Sequence, residues 1–117
     1  MSVAQVLGLL SEIASILEKH SVAHWEGIIL ARLESLRTAS QTGNERHLAQ
    51  ELQEIRGLYG GMGSFSDVYV TDRAGDKIDA GQVRSVNSRL QRLRTELFIS
   101  VGREMEQLGD GGGDILT

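Results

Sequence analysis

From Gly81 to Leu108 the chain repeats Val83, Val86, Leu90, Leu93, Leu97, Val101 and Leu108 in near-heptad steps, with Phe98 and Met105 widening the stripe. That spacing puts apolar side chains along one side of an α-helix. At 1.5 Å per residue the segment would reach about 42 Å, the longest element the sequence predicts. A helix this long with a single apolar side is not stable alone in water, so the rest of the chain has to cover it.

Three shorter stripes are available to do so. Val3, Val6, Leu7, Leu10, Ile13, Ala14 and Leu17 recur at three- and four-residue steps, with Ser2 placed to cap the helix they form. Val22, Trp25, Ile29, Leu33 and Leu36 start out of phase with that stripe, which predicts a break near His20 and Ser21, with Ser21 capping the second helix. Gly43 suits the left-handed residue that ends a helix, and Asn44 suits the cap of the next, whose stripe is Leu48, Leu52, Ile55 and Tyr59. Gly60 and Gly61 are expected to stop it. Four single-stripe helices joined by short loops pack most simply as an antiparallel four-helix bundle.

Between the third and fourth helices the pattern changes. Tyr59 to Val70 reads YGGMGSFSDVYV: glycines, then aromatic and β-branched residues. With Asp72-Arg-Ala-Gly75 as a turn and Asp76 to Asp79 as a return strand, the sequence predicts a short β-hairpin within 60–80. The expected architecture is therefore all-α, or mainly α: one domain over 1–108 with a glycine-rich loop and hairpin at 60–80, and a flexible glycine-rich tail at 109–117.

Cys 0 removes disulfides, thiolate nucleophiles and cysteine-type zinc sites. The apolar N-terminus lacks a basic leader and runs into Glu12, and no apolar run approaches the roughly 20 residues of a membrane span, so a cytoplasmic protein is expected. A net charge of −4 argues against phosphate-backbone binding as the main role. The charge is uneven. Residues 61–80 carry Asp67, Asp72, Asp76 and Asp79 against Arg73 and Lys77, whereas 81–108 carry five arginines against three glutamates.

Chemistry-bearing patterns are incomplete. His20 and His24 have metal-ligand spacing on a helix, but Ser21 stands where the zincin motif needs Glu and the expected break lies between them. Ser64 is not in a Gly-x-Ser-x-Gly elbow. Gly60, Gly61 and Gly63 could form an anion-binding nest, but a helix precedes them and a strand is expected after, the reverse of the nucleotide-binding order. The sequence thus predicts no catalytic residue, no metal and no cofactor, and gives the loop Gly60, Gly61, Met62, Gly63, Ser64 and Phe65 a structural part, with Met62, Phe65 and Val68 plugging the end of the bundle.

Gly60-Gly-Met-Gly-Ser-Phe-Ser-Asp-Val resembles the GGMGS-(Leu/Phe)-Asn-Asp-Leu signature of DUF6966-type small bacterial proteins, in which helices precede the signature and a tryptophan, here Trp25, sits early. The resemblance covers roughly residues 20 to 72, with Ser66 and Val68 departing from the signature. It implies a bacterial source and carries no activity. Small acidic proteins of this kind are often immunity or antitoxin-like partners. The expectation is a non-enzymatic module that binds a protein, such as a toxin, through Asp67, Tyr69, Asp72, Asp76 and Asp79. Alternatives are binding of nucleic acid or an acidic protein through Arg84, Arg89, Arg92 and Arg94, a homodimer along the fourth helix, and a small enzyme with its site at Ser64 and Asp67.

Overall fold

A computed structural model describes residues 3–60, 64–65, 68–70 and 78–113. Four helices follow one another: α1 (Val3–Lys19), α2 (Ala23–Thr42), α3 (Glu45–Arg56) and, after a 3-10 turn at Ala80–Gln82, α4 (Val83–Gly113). α1 packs on α2 and α4, and α3 packs on the same two, so the helices close a ring around one core. The end of α1 (Lys19, His20) meets the start of α4 (Gln82), and the start of α3 (Glu45, Ala49) meets its end (Met105, Leu108). Both shorter helices therefore run antiparallel to α4.

Each boundary has a local cause. α1 stops at Ser21, which adopts a left-handed φ of +59°. The Val22 N–H reaches the Leu17 carbonyl at 2.9 Å and the Ser21 N–H reaches Glu18 at 3.1 Å, the two bonds of a Schellman motif. Ser21 thus ends the first helix and does not cap the second, whose N-cap position is Val22 with no side-chain bond. Gly43 takes φ +70°, and the Asn44 side chain accepts from the His47 N–H at 3.1 Å, as the sequence predicts. α3 ends at Arg56, before the glycine pair expected to stop it, and the Leu58 and Tyr59 N–H groups turn back in tighter bonds to Ile55 and Arg56. α4 stays helical past Leu108 to Gly113, although glycines are poor helix formers.

The core combines Val6, Leu10, Ile13 and Leu17 of α1, Ile29, Leu33 and Leu36 of α2, Leu52 and Ile55 of α3, and Leu90, Leu93, Leu97 and Val101 of α4. Leu9 and Ile16 are also buried, so α1 turns a broader face inward than its predicted stripe. α3 has 12 residues and α4 has 31, which leaves much of α4 uncovered on that side. The segment after α3 fills the lane: Phe65 and Val70 are fully buried and Val68 nearly so, all within the same core. Burying such side chains contributes roughly 1.5–3 kcal/mol each, enough to hold a non-helical segment against the bundle.

Among the described residues there is no β-strand. The predicted hairpin is corrected to that extent: Val68–Val70 and Ile78–Asp79 do not pair as strands, and the remainder of its span, 66–67 and 71–77, lies outside the described residues. Val70 has instead found its partner on a helix.

Candidate binding surface on the strap after helix three

After α3 the described residues 58–60, 64–65 and 68–70, here called the strap, lie against α4 and are fixed through their backbone. The Phe65 N–H returns to the Leu58 carbonyl at 2.9 Å, and Gly60 takes φ +121°. Two α4 side chains then take hold. The Asn87 amide oxygen accepts the Val70 N–H at 2.7 Å, and its nitrogen donates to the Val70 carbonyl at 2.7 Å and to Val83 of its own helix at 2.7 Å. One side-chain amide thus supplies what a neighbouring strand would have supplied. Two turns along, Arg94 donates to the carbonyls of Phe65, at 3.3 Å, and Val68. Its guanidinium also lies over the Phe65 ring, 5.9 Å from the centroid. Arg94 is therefore half-buried and committed to the strap rather than to an outward arginine face, and Arg89 pairs with Glu12 at 3.4 Å.

Aromatic contacts lock the same place. Trp25 meets Phe65 at 5.3 Å between centroids, Phe65 meets Tyr59 edge-on at 5.4 Å, and Tyr59 meets Phe98 at 5.0 Å. The Tyr59 hydroxyl donates to the Arg94 carbonyl at 2.7 Å. Burial pushes the Tyr59 phenol well above its ordinary pKa, while the nearby Arg94 charge pulls the other way. The group is a neutral donor at any physiological pH. Beside it, Tyr59, Gln91, Arg94, Thr95 and Phe98 line an open groove of about 370 Å³, with Arg56 over the Phe98 ring at 5.4 Å.

Four of the five aromatic residues form this array. The fifth, Tyr69, does not. It is 58% exposed between buried Val68 and Val70. Of the other residues the sequence singles out, Asp79 is exposed at the start of the 3-10 turn, Ser64 is half-buried and Phe65 is core. Asp67, Asp72 and Asp76, and Gly61, Met62 and Gly63, lie outside the described residues.

His20 and His24 are not brought together as a helical pair. His20 is buried at the end of α1, and His24, across the break, stacks edge-on against Trp25 at 5.7 Å. Among the described residues no three His, Cys, Asp or Glu side chains could jointly hold a metal ion. Glu51 of α3 sits 3.5 Å from Arg32 of α2 and 3.6 Å from His47 of its own helix.

Asn87 is the residue that sequence reasoning missed, and Arg94, read there as part of an arginine face, holds the strap instead. Their signal is positional: both fall on the α4 stripe, in step with Leu90, Leu97 and Val101, where a polar side chain needs a buried partner.

A family model described as a domain of unknown function, DUF6966, matches residues 18–79, from the end of α1 through the strap. No curated protein and no solved structure matches the chain. Among the described residues no helix is long and apolar enough to cross a membrane.

Proposed function

The chain belongs to the DUF6966 family, and we propose that it is a non-enzymatic protein-binding module whose strap presents Tyr69, within an acidic stretch of the sequence, to a basic protein partner. The observation that carries this reading is the exposure of Tyr69 on a backbone immobilised on both sides of it by Asn87 and Arg94. A tyrosine held this way offers a large contact area and loses little freedom on binding. Asp67, Asp72, Asp76 and Asp79 give residues 61–80 a net negative charge. That charge would speed encounter with a cationic surface more than it deepens affinity. A bacterial immunity protein that blocks a toxin in the cytoplasm is the specific form of this proposal.

The test is affinity capture from the host with the wild type, with Tyr69→Ala, and with Leu30→Ala, which removes an apolar side chain exposed elsewhere on the surface. A basic protein retained by the wild type and by Leu30→Ala but lost by Tyr69→Ala is expected. Equal retention by Tyr69→Ala would overturn the reading. For the captured protein, Asp72→Lys with Asp76→Lys should slow association at low salt with little change in dissociation. If the partner is a toxin encoded beside this chain, co-expression should rescue growth.

A further inference from the structure

Val70 gives both its N–H and its C=O to one amide group, which is possible only if the two point the same way, the arrangement of an extended residue. Burial alternates with the same period: Val68 in, Tyr69 out, Val70 in. Leaving the turn that returns the Val68 N–H to Phe65, the chain is thus extended at Val70, and its inner edge is closed by helix side chains, Asn87 on Val70 and Arg94 on the Val68 carbonyl. In an extended chain the N–H and C=O of the middle residue point to the opposite edge. Among the described residues nothing hydrogen-bonds the Tyr69 backbone.

We infer that this outer edge is a strand-addition site, at which an extended basic segment of a partner protein exchanges two backbone hydrogen bonds with Tyr69. The inference rests on the protein-binding reading above and names how the partner is recognised. The geometry required is the one already made on the other edge, where Asn87 forms a two-bond ring with Val70. A segment pairing with the main chain gains affinity from backbone hydrogen bonds and selectivity from its side chains. Four aspartates against two basic residues in 61–80 select a cationic one.

The probe is the peptide acetyl-Lys-Val-Lys-Val-Lys-amide titrated into the full 15N-labelled chain, beside the same peptide with every amide N-methylated. Strand addition predicts that the Tyr69 amide exchanges freely in the unliganded chain. With the first peptide it moves downfield and its exchange slows by about tenfold; with the methylated peptide neither happens. Tyr69→Pro, which lacks the N–H, should bind the peptide at least several-fold more weakly than Tyr69→Ala, which keeps it, while protection of the Val70 amide reports that both variants retain the strap. A Tyr69 amide already protected without peptide, an equal response to the two peptides, or no response at millimolar peptide overturns the inference. Equal losses for Tyr69→Pro and Tyr69→Ala also overturn it. In that case the loss of the captured protein by Tyr69→Ala still stands as evidence for binding through the side chain.

Discussion

Replacing Asn87 by alanine should unfasten the strap at its buried end. The substitution removes three hydrogen bonds at 2.7 Å, two of them to Val70, which has no exposed surface. The Val83 carbonyl keeps its intrahelical partner, so the cost falls on the Val70 N–H and C=O. Leaving a buried backbone donor and acceptor unpaired costs about 1–3 kcal/mol each, and a loss near 3 kcal/mol is expected once some water enters. With an unfolding entropy of about 2.1 cal/mol/K per residue, a chain of this length should melt roughly 12 °C lower. Thermal and guanidinium unfolding followed by circular dichroism measure the loss, and hydrogen exchange at the Val70 amide locates it. Asn87→Asp adds a pH signature. The introduced carboxylate would face the Val70 and Val83 carbonyls where the amide nitrogen had donated, so its folded pKa must lie above the ordinary carboxylate value. Such a group destabilises most at pH above its folded pKa, and the deficit relative to wild type should shrink as pH falls through that value and the protonated group donates again. A loss below about 1 kcal/mol for Asn87→Ala, with the Val70 amide still protected, would refute the claim that this amide closes the strand edge.

Three further outcomes follow from the geometry. Tyr59→Phe should cost about 1 kcal/mol through the lost bond to Arg94, and it should remove a pH dependence: the raised folded pKa of Tyr59 means that wild-type stability is full below about pH 10 and declines above it, as the unfolded chain loses its proton first. Ser21→Gly should raise the melting temperature by a few degrees, since relieving a left-handed non-glycine residue gains about 1 kcal/mol, partly offset by the freer unfolded chain. Arg94→Lys should destabilise by about 2 kcal/mol despite keeping the charge, because an ammonium cannot reproduce the planar fork that serves two carbonyls while lying over Phe65; unfolding titrations with Arg92→Lys, an exposed position, as control would measure it.

What could be read in advance depended on how local the cause was. The break at His20 and Ser21 shows as a change of stripe phase, and Gly43-Asn44 carries its own backbone chemistry, so both are visible in a few residues. Ser21 misleads because serine is a common N-cap, whereas its conformation here is set by the Schellman bonds of the helix before it. In the run Phe65 to Val70, which the sequence reads as extended, Phe65 instead opens a tight turn that returns the Val68 N–H to its carbonyl at 3.2 Å, and Val70 pairs with a side chain 17 residues onward; no local pattern announces that an asparagine will replace a strand. For the same reason Arg94 reads as one charge among five when its position on the apolar stripe was the better clue. In the sequence Tyr69 is one candidate contact residue beside four aspartates. Its exposure becomes informative only when the other four aromatic residues are seen to pack together.

Asn87 and Arg94 hold the strap by its peptide groups, and a peptide group is the same whatever side chain it carries. The course of the segment is therefore written in α4, while the outward position between Val68 and Val70 is left free to change. Swapping Tyr69 for another residue should alter what the surface meets and leave the path of the chain untouched. In that sense the fold separates address from message: one helix fixes where the exposed residue stands, and the residue itself can be rewritten.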